Sequence, residues 1–438
     1  MKHILVIGAG RSSSSLIRYL LGHAAREKWT VTIGDVSLPL AEAKAGGHPA
    51  ARAIAFDINN ARQRQEEIAK ADIVVSMLPA SMHIQVAKDC LKLKKHLATA
   101  SYVSKEIGAM NREAEKAGLI FLNEAGLDPG IDHMSAMQLI DGFKKAGEEI
   151  LSFRSYCGGL VAPESNDNPW GYKFSWNPRN VVLAGQGGDA QYLEKGELKT
   201  IPYEKLFEQT ETIEVSGYGR FEAYANRDSL SYRQPYGLEE IPTLLRGTLR
   251  MPGFCRAWNA LIRLGLTDDT KSIADSDQLT WEQLIHRLNP VITADLAAQI
   301  HGNSEVFSRL EWLGIFSDRK IPLKNATPAQ ILQELLEEKW ALKPHDKDMI
   351  VMQHIFETRN KKKEIRKVKS SLVVIGDDQV YTAMAKTVGL PLAICVKLIL
   401  QGKIKARGVV IPVLKEIYTP VLKELADNGI RFQEKQMN

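Results

Sequence analysis

Residues 3–15 read HILVIGAGRSSSS, an apolar run that stops at a Gly-x-Gly turn and passes into a stretch able to open a helix. A strand that meets glycines at its carboxyl end, with the free N–H groups of a helix just beyond, is the phosphate-cradling start of a βαβ dinucleotide unit. Gly8 and Gly10 allow the tight turn and the close backbone approach, and Ser13 stands where the usual fingerprint has its third glycine. Position directly after the first strand makes this signal strong, whereas an isolated Gly-x-Gly is weak.

The next apolar run, VTIGDVS, leaves Asp35 about 25 residues beyond the glycines. An acidic residue there hydrogen-bonds both ribose hydroxyls of an adenosine and repels a 2′-phosphate. The reading therefore favours NAD(H), with NADP(H) as the alternative; the competing role for Asp35 is to cap the next turn. Asp57 closes a third strand, where it serves either the adenine side of a cofactor or a helix cap.

Further along, AIAFD, DIVVSML, HLATA and LIFLN alternate with amphipathic stretches up to about Leu122. Continuous Val/Ile/Leu runs between helices indicate a parallel sheet covered on both faces. The expected fold is α/β: a Rossmann-type doubly wound domain over 1–125, an α+β substrate domain over 126–246 and 341–380, and a helical subdomain over 247–340. Residues 381–438 are expected to pack back on the first domain, with AMAKTVGLPLAICVKLIL as a pair of apolar helices.

The chain has 438 residues, enough for two or three domains, and its net charge of +5 arises from 57 basic and 52 acidic residues. Such a balance carries no nucleic-acid signature, and the basic run RNKKKEIRKVK (359–369) suits a solvated hairpin tip. Four scattered cysteines show neither metal-ligand spacing nor a disulfide framework, which fits a reducing cytoplasm. No metal is expected. The opening strand lacks a basic leader region, and no apolar run is read as a membrane span.

The stretch NEAGLDPGIDH (123–133) places carboxylates, a Pro-Gly corner and a histidine close together. Turn chemistry alone accounts for Asp-Pro-Gly, with Asp132 in the first turn of a helix and His133 structural. Taken with SYVS (101–104), YCGGLVAPESNDNPWGYKFSW (156–176), NRDS (226–229), RGTLR (246–250) and TVGLPLAICVKLILQGKIKARGVVIP near the C-terminus, however, it resembles the glutamate-forming saccharopine dehydrogenases over essentially the full length.

That resemblance implies reversible, nicotinamide-linked conversion of saccharopine and water to glutamate and 2-aminoadipate 6-semialdehyde in lysine metabolism. It implies substrate contacts from Ser101, Tyr102, Asp128, Arg227, Thr248, Leu249 and Arg250. The cofactor set it implies, joined to the fingerprint, is Gly8, Ala9, Gly10, Arg11, Ser12, Asp35, Asp57, Ile58, Leu78, Ala100, Ser101, Leu127, Asp128, Pro129 and Ser175. Fungal members carry a Cys-Arg-Thr-like sequence after the second strand, whose arginine suits a 2′-phosphate, whereas this chain has Asp35, Val36 and Ser37. A homodimer is a possible assembly.

Saccharopine has three carboxylates and a secondary amine, so planar guanidinium forks make better anchors than ammonium groups. Tyr102, Asp128 and Cys157 are the candidates for proton transfer, beside bound water; Cys157 is equally a small packed side chain. The rival readings are a carboxynorspermidine- or homospermidine-type dehydrogenase, disfavoured by the paired arginine motifs, and a non-catalytic cofactor-sensing protein.

Overall fold

Runs such as ILVI and IVVS have no polar face to offer water, and they form the centre of a parallel sheet buried on both sides. The strands are β1 (Lys2–Ile7), β2 (Trp29–Asp35), β3 (Ala51–Ala55), β4 (Ile73–Ser76), β5 (His96–Thr99) and β6 (Ile120–Leu122). A seventh strand, Gly408–Val410, arrives from far along the chain and pairs in parallel with β6. The order is Gly408–Val410, β6, β5, β4, β1, β2, β3, so the direction of winding reverses between β1 and β4. In open α/β sheets ligands bind at the carboxyl edge of such a reversal.

The computed structural model describes every residue except 185–186, 292–295, 298–299, 301 and 438. The chain forms two units, residues 1–149 with 372–433, and residues 150–371 with 434–438. The helix Ile131–Ala146, expected in the substrate domain, thus lies in the first unit. The helical stretch 247–340, several residues of which are outside the described set, falls within the second unit.

The expected helix pair near the C-terminus is one continuous helix, Ala383–Leu400, with Pro391 inside it. Burial around nearly its whole circumference outweighs the break that a proline favours. By length and composition it could cross a membrane, contrary to the sequence reading, but it is mostly buried as a core helix against the helix Ser14–Glu27.

The second unit is built on a mixed nine-stranded sheet. Its strands are β7 (Glu149–Val161), β8 (Ala190–Glu194), β9 (Glu197–Ile201), β10 (Glu211–Val215), β11 (Gly219–Ala225), β12 (Thr243–Arg250), β13 (Asp348–Arg359) and β14 (Ile365–Ile375), with Gln433–Met437 at one edge. The basic run 359–369 is the tip of the β13–β14 hairpin, closed by a bond from the Asn360 N–H to the Glu364 carbonyl. Trp170, Trp258, Trp281 and Trp340 fill an aromatic core beneath the helices, two of which start at Thr-x-x-Gln capping boxes.

Candidate active site

The glycine turn sits at the winding reversal. Gly8 has φ +106°, and a Cβ there would lie 2.8 Å from the Met77 carbonyl oxygen at the end of β4, so only glycine fits. A Cβ on Gly10 would meet nothing within 4 Å, leaving open space beside the turn for a pyrophosphate. Ser13, standing where a third glycine is usual, donates its hydroxyl to the Gly10 carbonyl at 2.8 Å. Ala9 is buried, Arg11 exposed and Ser12 half-buried on the same turn.

Asp35 is held by two backbone N–H groups. Its Oδ2 accepts the Ala9 N–H at 2.7 Å and its Oδ1 accepts the Ser37 N–H at 2.9 Å, so it clasps the glycine turn to the loop after β2. Asp57 is exposed and accepts from the Asn59 N–H at 2.9 Å, while the cap of the next helix is the Asn60 side chain. Ile58 packs in the core, with Leu78 half-buried against the same cluster.

At the ends of β5 and β6 the chain brings Ala100, Ser101 and Tyr102 beside the segment Leu127–Pro129. The Glu124 N–H donates to the Ser101 carbonyl at 3.0 Å and the Ala125 N–H to the Thr99 carbonyl at 3.2 Å. Gly126 lies over Ala100, close enough that a Cβ would come within 2.9 Å of the alanine methyl. The Asp128-Pro129 peptide is cis, and the Tyr102 hydroxyl lies 3.5 Å from Asp128 Oδ1. Tyr102 is exposed and Asp128 half-buried, whereas Leu127 and Pro129 are buried.

The other polar groups of the motif face inward. Asp132 accepts the Gly130 N–H at 2.6 Å, and His133 Nε2 lies 2.9 Å from Glu124 Oε2 in a fully buried setting. Glu124 also accepts the Val103 N–H at 3.1 Å, tying this corner to the segment after Ser101.

Sequence reading missed His83. It is buried at the start of the helix His83–Lys92, with Nδ1 2.8 Å from Ser76 Oγ and Nε2 2.7 Å from Ser101 Oγ. Burial pushes its pKa down to about 4. No local motif marks it, because its partners lie 7 and 18 residues away and meet it only through the sheet.

In the second unit, β12 lies between β11 and β7 in a register that sets Thr248 beside both Tyr224 and Cys157. Arg250 is 6 % exposed, and its guanidinium lies 5.3–5.8 Å from the ring centres of Tyr172, Tyr224 and Phe254. Its Nη1 donates to the Leu249 carbonyl, while Nε is buried with no hydrogen-bond partner among the described residues. Burial raises the pKa of Tyr172 and Tyr224, opposed by the charge of Arg250.

Arg227 is exposed, packs against Gly187, and donates to the Leu183 carbonyl at 3.3 Å. Its charge, like that of Arg250, opposes the rise in the Tyr224 pKa. Thr248 Oγ1 donates to Asn226 Oδ1 at 2.7 Å. Leu249, Cys157 and Ser175 are buried; Ser175, alone of the expected cofactor residues, belongs to the second unit.

Comparison with known proteins matches this architecture. The profile described as "Saccharopine dehydrogenase NADP binding domain" covers residues 4–122, and "Saccharopine dehydrogenase C-terminal domain" covers 126–430. The chain belongs to the saccharopine dehydrogenase family. It is 36 % identical to the saccharopine dehydrogenase [NADP(+), L-glutamate-forming] of Saccharomyces cerevisiae and 34 % to that of Schizosaccharomyces pombe, over 99 % of both chains in each case. The apo structure of the S. cerevisiae enzyme superposes with a TM-score of 0.89 over the whole of both chains, at 34 % identity.

This membership corrects the cofactor reading. The family's first domain is an NADP-binding domain and the relatives are named for NADP(+), so NAD(H) is not the favoured cofactor. The Asp35 carboxylate accepts the Ala9 and Ser37 N–H groups, so an acidic residue at this place in the fingerprint does not by itself specify the cofactor.

Proposed function

We propose that this chain catalyses the reversible, NADP-linked oxidation of saccharopine and water to glutamate and 2-aminoadipate 6-semialdehyde. The observation that carries this reading is identity of 36 % over 99 % of both chains with an L-glutamate-forming enzyme. When bound, NADP accepts a hydride from the substrate carbon that bears the secondary amine. The open space beside Gly10 and the tight turn at Gly8 suit its pyrophosphate.

Arg250 serves as a carboxylate anchor. Its desolvated guanidinium, oriented by three rings and with one N–H unspent, strongly favours a planar anionic partner. Arg227 supplies a second fork from the surface, and Thr248 and Leu249 complete the strand beside them. Asp128, next to the Tyr102 hydroxyl, manages the proton at the substrate nitrogen, with Cys157 as the alternative group on β7.

The test is a spectrophotometric assay of nicotinamide reduction. Saccharopine-dependent formation of NADPH, reversed by glutamate plus the semialdehyde, is expected. Turnover of carboxynorspermidine in its place would move the enzyme to the diamine-derived class, and cofactor binding without turnover of either would make it a non-catalytic member.

A further inference from the structure

Three separate elements converge on the Ser101 hydroxyl. Ser76 is the last residue of β4 and fully buried, His83 opens a helix, and Ser101 follows β5. The imidazole bridges the two hydroxyls, at 2.8 Å to Ser76 and 2.7 Å to Ser101. The backbone of Ser101 is held as well, its N–H donating to Thr99 Oγ1 at 3.2 Å and its carbonyl accepting from Glu124 at 3.0 Å.

Burial keeps the His83 ring neutral at ordinary pH, and the positive end of the helix it opens opposes an imidazolium further. A neutral imidazole has one N–H and one lone pair. It therefore gives a hydrogen bond to one serine and takes one from the other, and in either tautomer one bonding direction of the Ser101 hydroxyl is spent on the ring. The remaining capacity of that hydroxyl is confined to directions away from His83.

A histidine with a purely structural role commonly satisfies a buried backbone group. Here Nε2 is spent on a half-buried hydroxyl at the carboxyl edge of β5, immediately before Tyr102. We propose that His83, braced from behind by Ser76, is a positioning residue that holds the Ser101 hydroxyl in one orientation for the ligand that meets it. The proposal rests on the dehydrogenase reading only in naming that ligand as the nicotinamide cofactor or the substrate.

The test is a double-mutant cycle on the full-length enzyme, comparing wild type, His83→Asn, Ser101→Ala and the pair, with His83→Gln as the conservative variant. Asparagine reaches the Ser76 end of the ring only, whereas the longer glutamine places its amide near the position of Nε2. Each protein is assayed for saccharopine kcat/KM, for NADPH affinity by fluorescence titration and for thermal stability. Loss of one oriented hydrogen bond predicts a threefold to tenfold fall, to order of magnitude, in at least one of the first two readouts for His83→Asn. Recovery is expected in His83→Gln, and less than about a twofold further effect of His83→Asn when Ser101 is already alanine.

Additive effects in both readouts, or a His83→Gln variant as impaired as His83→Asn at equal thermal stability, would overturn the proposal. Should His83→Asn not fold, Ser76→Ala takes its place in the cycle, with a smaller loss and the same non-additivity expected. A wild-type protein that binds NADPH but does not oxidise saccharopine would sink the proposed reaction alone, and the NADPH titrations would still decide the role of His83.

Discussion

Asp35, His83 and the two arginines separate what a residue type offers from what its surroundings let it do. Replacing Asp35 by alanine removes the acceptor of two backbone N–H groups, leaving Ala9 without the partner that pins the turn. The expected outcome is a stability loss of about 1–3 kcal/mol and weaker binding of NADPH and NADH alike, read from thermal melts and paired titrations. His83 has a folded pKa of about 4 against 6.5 in the free side chain. Between those values the unfolded chain takes up a proton that the folded chain refuses, so this group's stability contribution is complete above pH 6.5 and is lost as pH falls towards 4, at ~1.4 kcal/mol per unit. His83→Gln should flatten the dependence of Tm on pH across that window. Arg227 and Arg250 differ in burial, and their lysine variants should differ in kind. Arg227→Lys is expected to lower saccharopine kcat/KM by about tenfold to a hundredfold with Tm unchanged, as for loss of a charge-assisted fork at an exposed position. Arg250→Lys, which also empties a slot between three rings, should lower both.

Two helices meet where the cofactor turn ends. Gly389, within Ala383–Leu400, approaches the backbone of Leu16 in Ser14–Glu27 so closely that a Cβ would lie 2.7 Å from the Leu16 nitrogen. The third glycine of a dinucleotide fingerprint ordinarily permits close packing of the first helix, and here a glycine from the far end of the chain permits a comparable approach on that helix. Gly389→Leu should therefore push the helices apart, costing about 1–3 kcal/mol by overpacking and weakening NADPH binding, whereas Gly22→Ala, on the helix of Leu16 with nothing within 4 Å of a Cβ, should leave binding intact. This contact also shows what was legible in the sequence. The first six strands and the glycine turn could be read because unbroken Val/Ile/Leu runs and turn residues are local signals. The seventh strand is three residues long, and its pairing with β6 joins segments nearly 290 residues apart, so no local period announces it. The Gly-Leu-Pro sequence at 389–391 reads as a helix break, yet burial on all sides carries the helix through it. In the candidate site, Tyr102, Asp128 and Arg250 stand out as motif members, while His83 acquires meaning only from two serines that the sheet brings to it.

At the scale of the molecule, the first unit is discontinuous, with the second unit's main segment lying between its two parts in sequence. Residues 1–149 alone lack the strand that pairs with β6 and the helix that covers Leu16. That fragment is expected to show no cooperative thermal transition by circular dichroism, whereas 1–149 joined by a flexible linker to 372–433 should melt cooperatively and bind NADPH. The same arrangement sets a timetable for biosynthesis. After residue 149 leaves the ribosome, 222 further residues, 150–371, must be made before the closing segment of the first unit begins to emerge. At about 5–20 residues per second this is a wait of roughly 10–45 s. Throughout it β6 and the apolar flank of the first helix lack the partners that cover them in the finished unit, and unpaired strand segments are templates for strand addition.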